Sequence, residues 1–342
     1  MAAAGQTSCQ GGSAVALETR MKGDNKRIEP SAVLHDPSVS PWPHRLAVIT
    51  ACATFPLLFI GGLVTSKGAG LAVPDWPTTF GYNMFLYPWS KMVGGIFYEH
   101  SHRLVASAVG MLTIALAVSL WFQERRGWLR WLGFVALVLV IVQGVLGGLR
   151  VILLEHVLAI VHASLAQVFF ALTVSLALFT SVEWRGDRAG PPLADGARLR
   201  RLAAITTTLI YLQIVFGAVL RHTGARLDAH LLFAALVTVH VVLVIVRILK
   251  LHSERAELVR PAYFLGGLLV LQLFLGTLSY LAKFTTILRV AAEATVMLTT
   301  THLAVGALML VTSLCVTLRS YRYSSAPKPA GGRNVLAEQY SV

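Results

Sequence analysis

Charge is the first thing this sequence is short of. Of its 342 residues, 13% are Asp, Glu, Lys or Arg, where roughly 25% is usual for soluble domains. Acids are scarcer than bases: 16 Asp and Glu stand against 29 Lys and Arg, a formal net charge of +13. Cysteine is nearly absent. Cys9, Cys52 and Cys315 lie far apart and make no Cys-x-x-Cys pair, so neither a disulfide framework nor a zinc site can be built from them. The first 44 residues hold no apolar run and read as a disordered cytoplasmic tail, not a secretory signal peptide. Lys, Asp and Glu are missing from the middle of every long apolar stretch. That disfavours a transporter, which needs charged or broken helices near the midplane.

What the chain has in abundance is apolar surface. It is 56% hydrophobic, with a mean hydropathy of +0.68. Runs long enough to cross a bilayer, roughly 20 residues each, fall near 45–65, 102–122, 129–149, 157–180, 202–220, 229–249, 262–282 and 295–318. The pattern predicts an all-α integral membrane protein with eight transmembrane helices. The even-numbered loops and the C-terminal segment carry the larger share of Lys and Arg, among them Arg125, Arg126, Arg130, Arg185, Arg198, Arg200 and Arg201. The positive-inside rule then puts both termini in the cytoplasm and the odd-numbered loops outside a cell membrane. The basic excess suits cytoplasmic loops and anionic lipid headgroups better than nucleic acid.

The chain repeats itself. Gly61-Gly62-Leu63-Val64-Thr65-Ser66-Lys67-Gly68 closes the first helix, and Gly217-Ala218-Val219-Leu220-Arg221-His222-Thr223-Gly224 closes the fifth. A Gln-x-x-x-Gly element recurs as Gln143/Gly147, Gln213/Gly217 and Gln272/Gly276 on helices three, five and seven. The two halves, 45–182 and 202–318, therefore read as pseudo-symmetric four-helix bundles, a parallel repeat joined by a basic cytoplasmic linker at 183–201. A second cytoplasmic tail is expected at 319–342.

Eleven histidines are present. His102, His162, His230 and His302 form a set, each near the outer end of an even-numbered helix. Paired imidazoles facing one another across a four-helix bundle can hold a haem iron. His102 with His162, and His230 with His302, are the candidate axial ligands. His240 stands deeper on the same helix as His230 and is the alternative fourth ligand. His100 is two residues from His102, on another face of the helix. His156 precedes the fourth helix, and His222, in the exit motif of the fifth, is a candidate to reach a haem edge or propionate.

Glu99-His100-Ser101-His102-Arg103 is the costliest stretch to place at a membrane mouth, and ionisable groups at membrane depth are functional by default. Glu99 shares a helix face with His102. It is either an acid acting on a substrate or a helix N-terminal acid favoured by the dipole. No matching acid precedes His230, where Leu227 stands. The first half is therefore the candidate for chemistry and the second for a permanent haem. Arg103 is available for a propionate or a backbone partner. The loop at about 66–98, with Pro74-Asp75-Trp76-Pro77 and Phe85, Tyr87 and Trp89, is an aromatic interfacial belt, a lid over the first site, or both.

Together these motifs resemble the haem A synthase family: Gly-Gly-Leu-Val-Thr-Ser-x-Gly-x-Gly-Leu before Pro-Asp-Trp-Pro, then Glu-x-x-His-Arg, then Gln-x-x-x-Gly-x-x-Arg-Val at 143–151, then Arg-His-Thr-Gly at 221–224. The resemblance spans residues 45–318. It implies an enzyme that oxidises the C8 methyl of haem O to the formyl of haem A for cytochrome oxidase. It also implies a haem b cofactor on His230 and His302, haem O between His102 and His162, and Glu99 as catalytic acid. The enzyme that makes haem O and an electron donor would be its partners; a homo-oligomer is compatible with it. The chain departs from many bacterial members in having no cysteine pair in the first outer loop, where Thr79 stands. The same four histidines would also serve a di-haem b-type electron carrier that leaves the porphyrin unaltered.

Overall fold

A computed structural model describes residues 40–186, 192–193 and 195–324. Most of the expected N-terminal tail, the middle of the expected linker and the tail beyond Ser324 lie outside the described residues. Eight helices are long and apolar enough to cross a membrane: α1 (Trp42–Ser66), α2 (Gly94–Gln123), α3 (Gly127–Leu153), α4 (His156–Thr180), α5 (Gly196–Thr223), α6 (Leu227–Leu251), α7 (Ala256–Phe284) and α8 (Ala292–Ser324). The chain is a multi-pass membrane protein.

Local chemistry sets the helix ends. Pro43 sits in the first turn of α1, where its missing N–H costs nothing. Gly224 ends α5 at φ 73°, its N–H bonded to the carbonyl of Leu220, the left-handed stop that glycine takes most cheaply. Several helices run past their expected ends. α2 begins at Gly94 rather than near 102, so Glu99 and His100 are helical. α5 begins at Gly196 inside the expected linker, and α8 continues to Ser324. His156, expected in a loop, is the first residue of α4.

Packing follows the repeat. α1, α2, α3 and α4 each pack on the next, and α1 closes on α4; α5 to α8 close in the same way. Between the halves α1 meets α8, α4 meets α5, and α4 meets α8. Each half has its own apolar core, around Leu116, Leu120 and Leu176 in the first and Val241, Leu265 and Leu310 in the second. Phe170, Ala307 and Val311, with Phe55 and Leu58 against them, fill the seam. α8 is the central strut: 61% of its apolar window is buried, against 22–33% for the other seven. Its small polar residues allow close approach and interhelical bonds. The hydroxyl of Thr207 meets Ser313 Oγ at 2.7 Å and Thr317 Oγ1 at 2.9 Å.

The ends of the helices away from the four histidines are held by ion pairs. Glu124 takes Arg126 at 2.9 Å and Arg185 at 3.2 Å. Burial raises its carboxyl pKa, but the hydrogen bonds and charges of those arginines outweigh it and hold the group at about 2. Glu183 pairs with Arg319 at 2.8 Å, and Asp195 pairs with Arg247 and, at 2.7 Å, with His252.

Candidate functional site

All four histidines of the expected set lie on even-numbered helices toward one face, and each meets a glycine of the helix before it. A Cβ on Gly61 would stand 3.0 Å from His102 Cε1; on Gly147, 3.3 Å from His162 Cε1; on Gly217, 3.2 Å from His230 Cε1; on Gly276, 3.0 Å from His302 Cε1. The glycines of the repeat are therefore seats for imidazoles, a role their spacing alone did not reveal. Nδ1 of His102, His230 and His302 is buried without a hydrogen-bond partner, a costly state for a polar atom.

The histidines pair within each half. The rings of His230 and His302 lie 6.3 Å apart, centroid to centroid, at 73°. His102 and His162 lie within electrostatic reach of each other and of Arg150. His240 instead turns to the carbonyl of Leu236 on its own helix, at 2.9 Å. His222 reaches toward Arg150 and the first half, although it belongs to α5.

Glu99 lies beyond the first turn of α2, which holds no acid, so the dipole has little hold on it. Its carboxylate is buried between two donors, Arg103 Nη2 at 2.8 Å and the Val73 N–H at 2.9 Å. Arg103 also donates to the carbonyls of Asp75, Thr78 and Val73, at 2.7, 3.1 and 3.1 Å. The guanidinium is a hub that ties the α1–α2 loop to α2, which is the backbone role among the two expected for it.

That loop is itself well made. Asp75 accepts from the N–H groups of Phe80 and Gly81 at 2.7 and 2.9 Å, and from the Thr78 hydroxyl. Burial opposes ionisation of Asp75, but these bonds outweigh it and lower the pKa to about 2. The turn they brace carries Phe80 and Gly81 at φ 50° and 76°. His100 Nδ1 meets the hydroxyl of Thr79 at 3.1 Å, and Tyr87 packs on its ring at 5.1 Å. Trp76 lies so close over Gly148 of α3 that any Cβ there would strike the indole. The loop thus crosses the first half's histidine end.

Two arginines near the histidines stood in the sequence motifs without an assigned role. Arg150 makes one hydrogen bond, to the carbonyl of Gly70 at 3.1 Å, and lies close to Glu99 and both first-half histidines. Arg221 of α5 donates to the carbonyl of Gly62 at 2.6 Å and to Ser66 Oγ, both on α1. It ties the halves together near His302. Its position in the repeat was the available signal; its direction across the seam was not.

Among the described residues no three His, Cys, Asp or Glu side chains come together as a metal site. Pairs of histidines alone suit a metal that brings its other ligands with it, as an iron porphyrin does. The 6.3 Å between the rings of His230 and His302 is close to what one metal ion spans with two bonds of about 2 Å to ring nitrogens. The glycine seats and unpartnered ring nitrogens fit the same group.

The fold and the site thus define a multi-pass membrane protein with one paired-histidine site in each four-helix half. The chain belongs to the COX15-CtaA family, whose sequence model, described as cytochrome oxidase assembly protein, matches residues 44–230. The match ends at His230, so His302 lies outside it. Similar relatives carry the name heme A synthase. The protein of Shouchella clausii (strain KSM-K16) is 31% identical over 186 residues, 54% of this chain and 60% of that one. That of Alkalihalophilus pseudofirmus is 30% identical over 185 residues, 53% and 60% of the two chains. That of Bacillus pumilus is 28% identical over 191 residues, 53% and 59%. The chain thus matches about 60% of the length of these relatives.

Proposed function

We propose that this protein is a membrane oxidoreductase that converts haem O to haem A for cytochrome oxidase, oxidising the C8 methyl to a formyl group. The observation that carries the reading is the asymmetric repeat: two histidine pairs on glycine seats, with a buried acid beside only one of them. The relatives' shared name agrees with it.

In this reading His102 and His162 hold the substrate porphyrin. Arg150, with a single backbone partner, is the cation free to meet a propionate, since the other arginine of that mouth, Arg103, is occupied by the loop. The loop excludes water from the reacting edge. Glu99, one turn before His102, handles a proton at its carboxylate while Arg103 and Val73 hold it in place. His230 and His302 would hold haem b, which supplies one-electron transfer when bound. Electrons come from an external donor. In this reading the histidine ends face outward and both termini inward, and the larger share of cations on the opposite face supports that orientation under the positive-inside rule.

Coexpression with a source of haem O, followed by pigment extraction, tests the activity. Haem A is expected in the extract. Haem b alone would make the chain a di-haem electron carrier, and a colourless protein would sink both readings.

The glycine seats give a second test. Gly276→Val is expected to drive a branched side chain into His302 and to lower haem per chain by about half, read as the pyridine haemochrome. Overpacking of this kind costs about 1–3 kcal/mol, so loss of a ligand geometry is expected before loss of the fold. Gly267→Val on the same helix, where a Cβ would meet nothing within 4 Å, is the matched control and should retain its haem.

A further inference from the structure

Arg150 stands three residues beyond Gly147 on the same face of α3, and Gly147 seats His162. It falls in the last turn of the helix, where a cation suits the dipole. Its hydrogen bond nevertheless goes to the α1–α2 loop, from Nη2 to the carbonyl of Gly70 at 3.1 Å. The guanidinium lies so close over Gly70 that a Cβ there would strike it. Three residues further along the loop, the Val73 N–H donates to Glu99 at 2.9 Å. Three residues of chain span about 11 Å at full stretch, and this stretch is folded, with the Ala72 N–H bonded to the carbonyl of Ala69 at 3.1 Å. One short turn therefore braces the cation at one end and the acid at the other. The oxygens of Glu99 are taken by Arg103 and Val73, while Arg150 lies within electrostatic reach of Glu99 and of both first-half histidines.

We propose that Arg150 is a specificity-determining residue that sets which methyl of the porphyrin is oxidised. The inference rests on the haem O reading above and deepens it. Two axial histidines fix the plane of a porphyrin but not its rotation within that plane, so His102 and His162 alone would accept several orientations. Haem O carries four ring methyls. Two of them, C8 among them, share a pyrrole with a propionate; the others share theirs with the isoprenoid tail or the vinyl group. A propionate held on Arg150 turns the propionate edge to the side of the site where Glu99 stands. The methyls offered there are then those beside a propionate, and the tail, carried on one side of the ring only, separates the two. Guanidinium suits the task because it meets a carboxylate in a fixed, forked geometry. Arg103 cannot serve, since the loop occupies it.

Methyl esters of the propionates test the contact without requiring turnover. The full chain, purified with its haem, is titrated with haem O and with haem O dimethyl ester, binding is read from the Soret band, and the product isomers formed from haem O are assigned by NMR. The unaltered protein is expected to bind the ester about 10-fold or more weakly, the size of a lost charge-assisted hydrogen bond, and to form the formyl at C8 alone. Arg150→Leu should bind both porphyrins alike and spread oxidation to other methyls. Unaltered protein that is indifferent to esterification overturns the inference. So does Arg150→Leu that keeps the preference for free propionates or yields only the C8 product. In each case the haem O reading stands; a chain that binds neither porphyrin overturns both. Where Arg150→Leu forms too little product to assign, the binding comparison decides. If Arg150→Leu does not fold, Arg150→Gln, whose amide can still donate to a loop carbonyl, takes its place: equal binding of the two porphyrins supports the inference, and a retained preference overturns it.

Discussion

Arg103→Leu is expected to unfasten the α1–α2 loop and to destabilise the protein by about 3–5 kcal/mol, the usual result of leaving one member of a buried ion pair without its partner. The side chains of Arg103 and Glu99 are only 10% and 5% exposed, so water cannot replace the lost guanidinium. Three loop carbonyls lose their donor at the same time. Hydrogen exchange in residues 72–82, measured beside thermal unfolding, checks both parts. Arg103→Lys should fall between: an ammonium keeps the charge facing Glu99 but cannot fork to four oxygens. Unchanged exchange in the loop of Arg103→Leu would mean that the loop is held by Asp75 and the His100–Thr79 contact alone.

Glu99→Gln separates the two duties of that carboxylate. The amide can still accept from the Val73 N–H, so the loop stays docked, but it cannot take or give a proton. If Glu99 handles a proton in the oxidation, Glu99→Gln and Glu99→Ala should both lose haem A formation by roughly 10²–10⁴-fold, the range for a positioned acid or base. Haem content should hold in the Gln variant. Near-normal haem A from Glu99→Gln, with loss only in Glu99→Ala, would reduce Glu99 to an anchor for the loop.

The eight spans were legible because apolar length is what a bilayer selects. Their ends were not, for reasons that differ from place to place. Phe97-Tyr98-Glu99-His100-Ser101 reads as a polar loop, yet Arg103, Val73 and Thr79 satisfy its polar groups inside the protein and let the helix continue through it. Gly196-Ala197-Arg198-Leu199-Arg200-Arg201 reads as linker because of its charge, although a helix can extend beyond the apolar slab with its arginines in water or headgroups.

The histidines were legible as a set because imidazole is rare at membrane depth, and depth alone favoured His230 over His240. The seats beneath them were not, since a glycine looks the same whether it faces lipid or a ring. Arg103 and Arg150 are equally basic in the sequence. Only the folded loop distinguishes the saturated cation from the one with a single partner.

The arginines differ in one more respect between the two faces. Away from the histidines four of them meet carboxylates, Arg126 and Arg185 on Glu124, Arg247 on Asp195 and Arg319 on Glu183, while Arg130 and Arg322 meet backbone carbonyls. Beside the histidines, Arg150 and Arg221 meet backbone carbonyls, which carry no formal charge, and only Arg103 has a carboxylate to share. The guanidiniums of Arg150 and Arg221 therefore stand part-buried with no carboxylate bonded to them among the described residues. Field lines from such groups are little screened. Each histidine pair thus has a guanidinium near it, Arg150 in the first half and Arg221 in the second, which favours a ligand bearing carboxylates and makes removing an electron from a nearby centre harder.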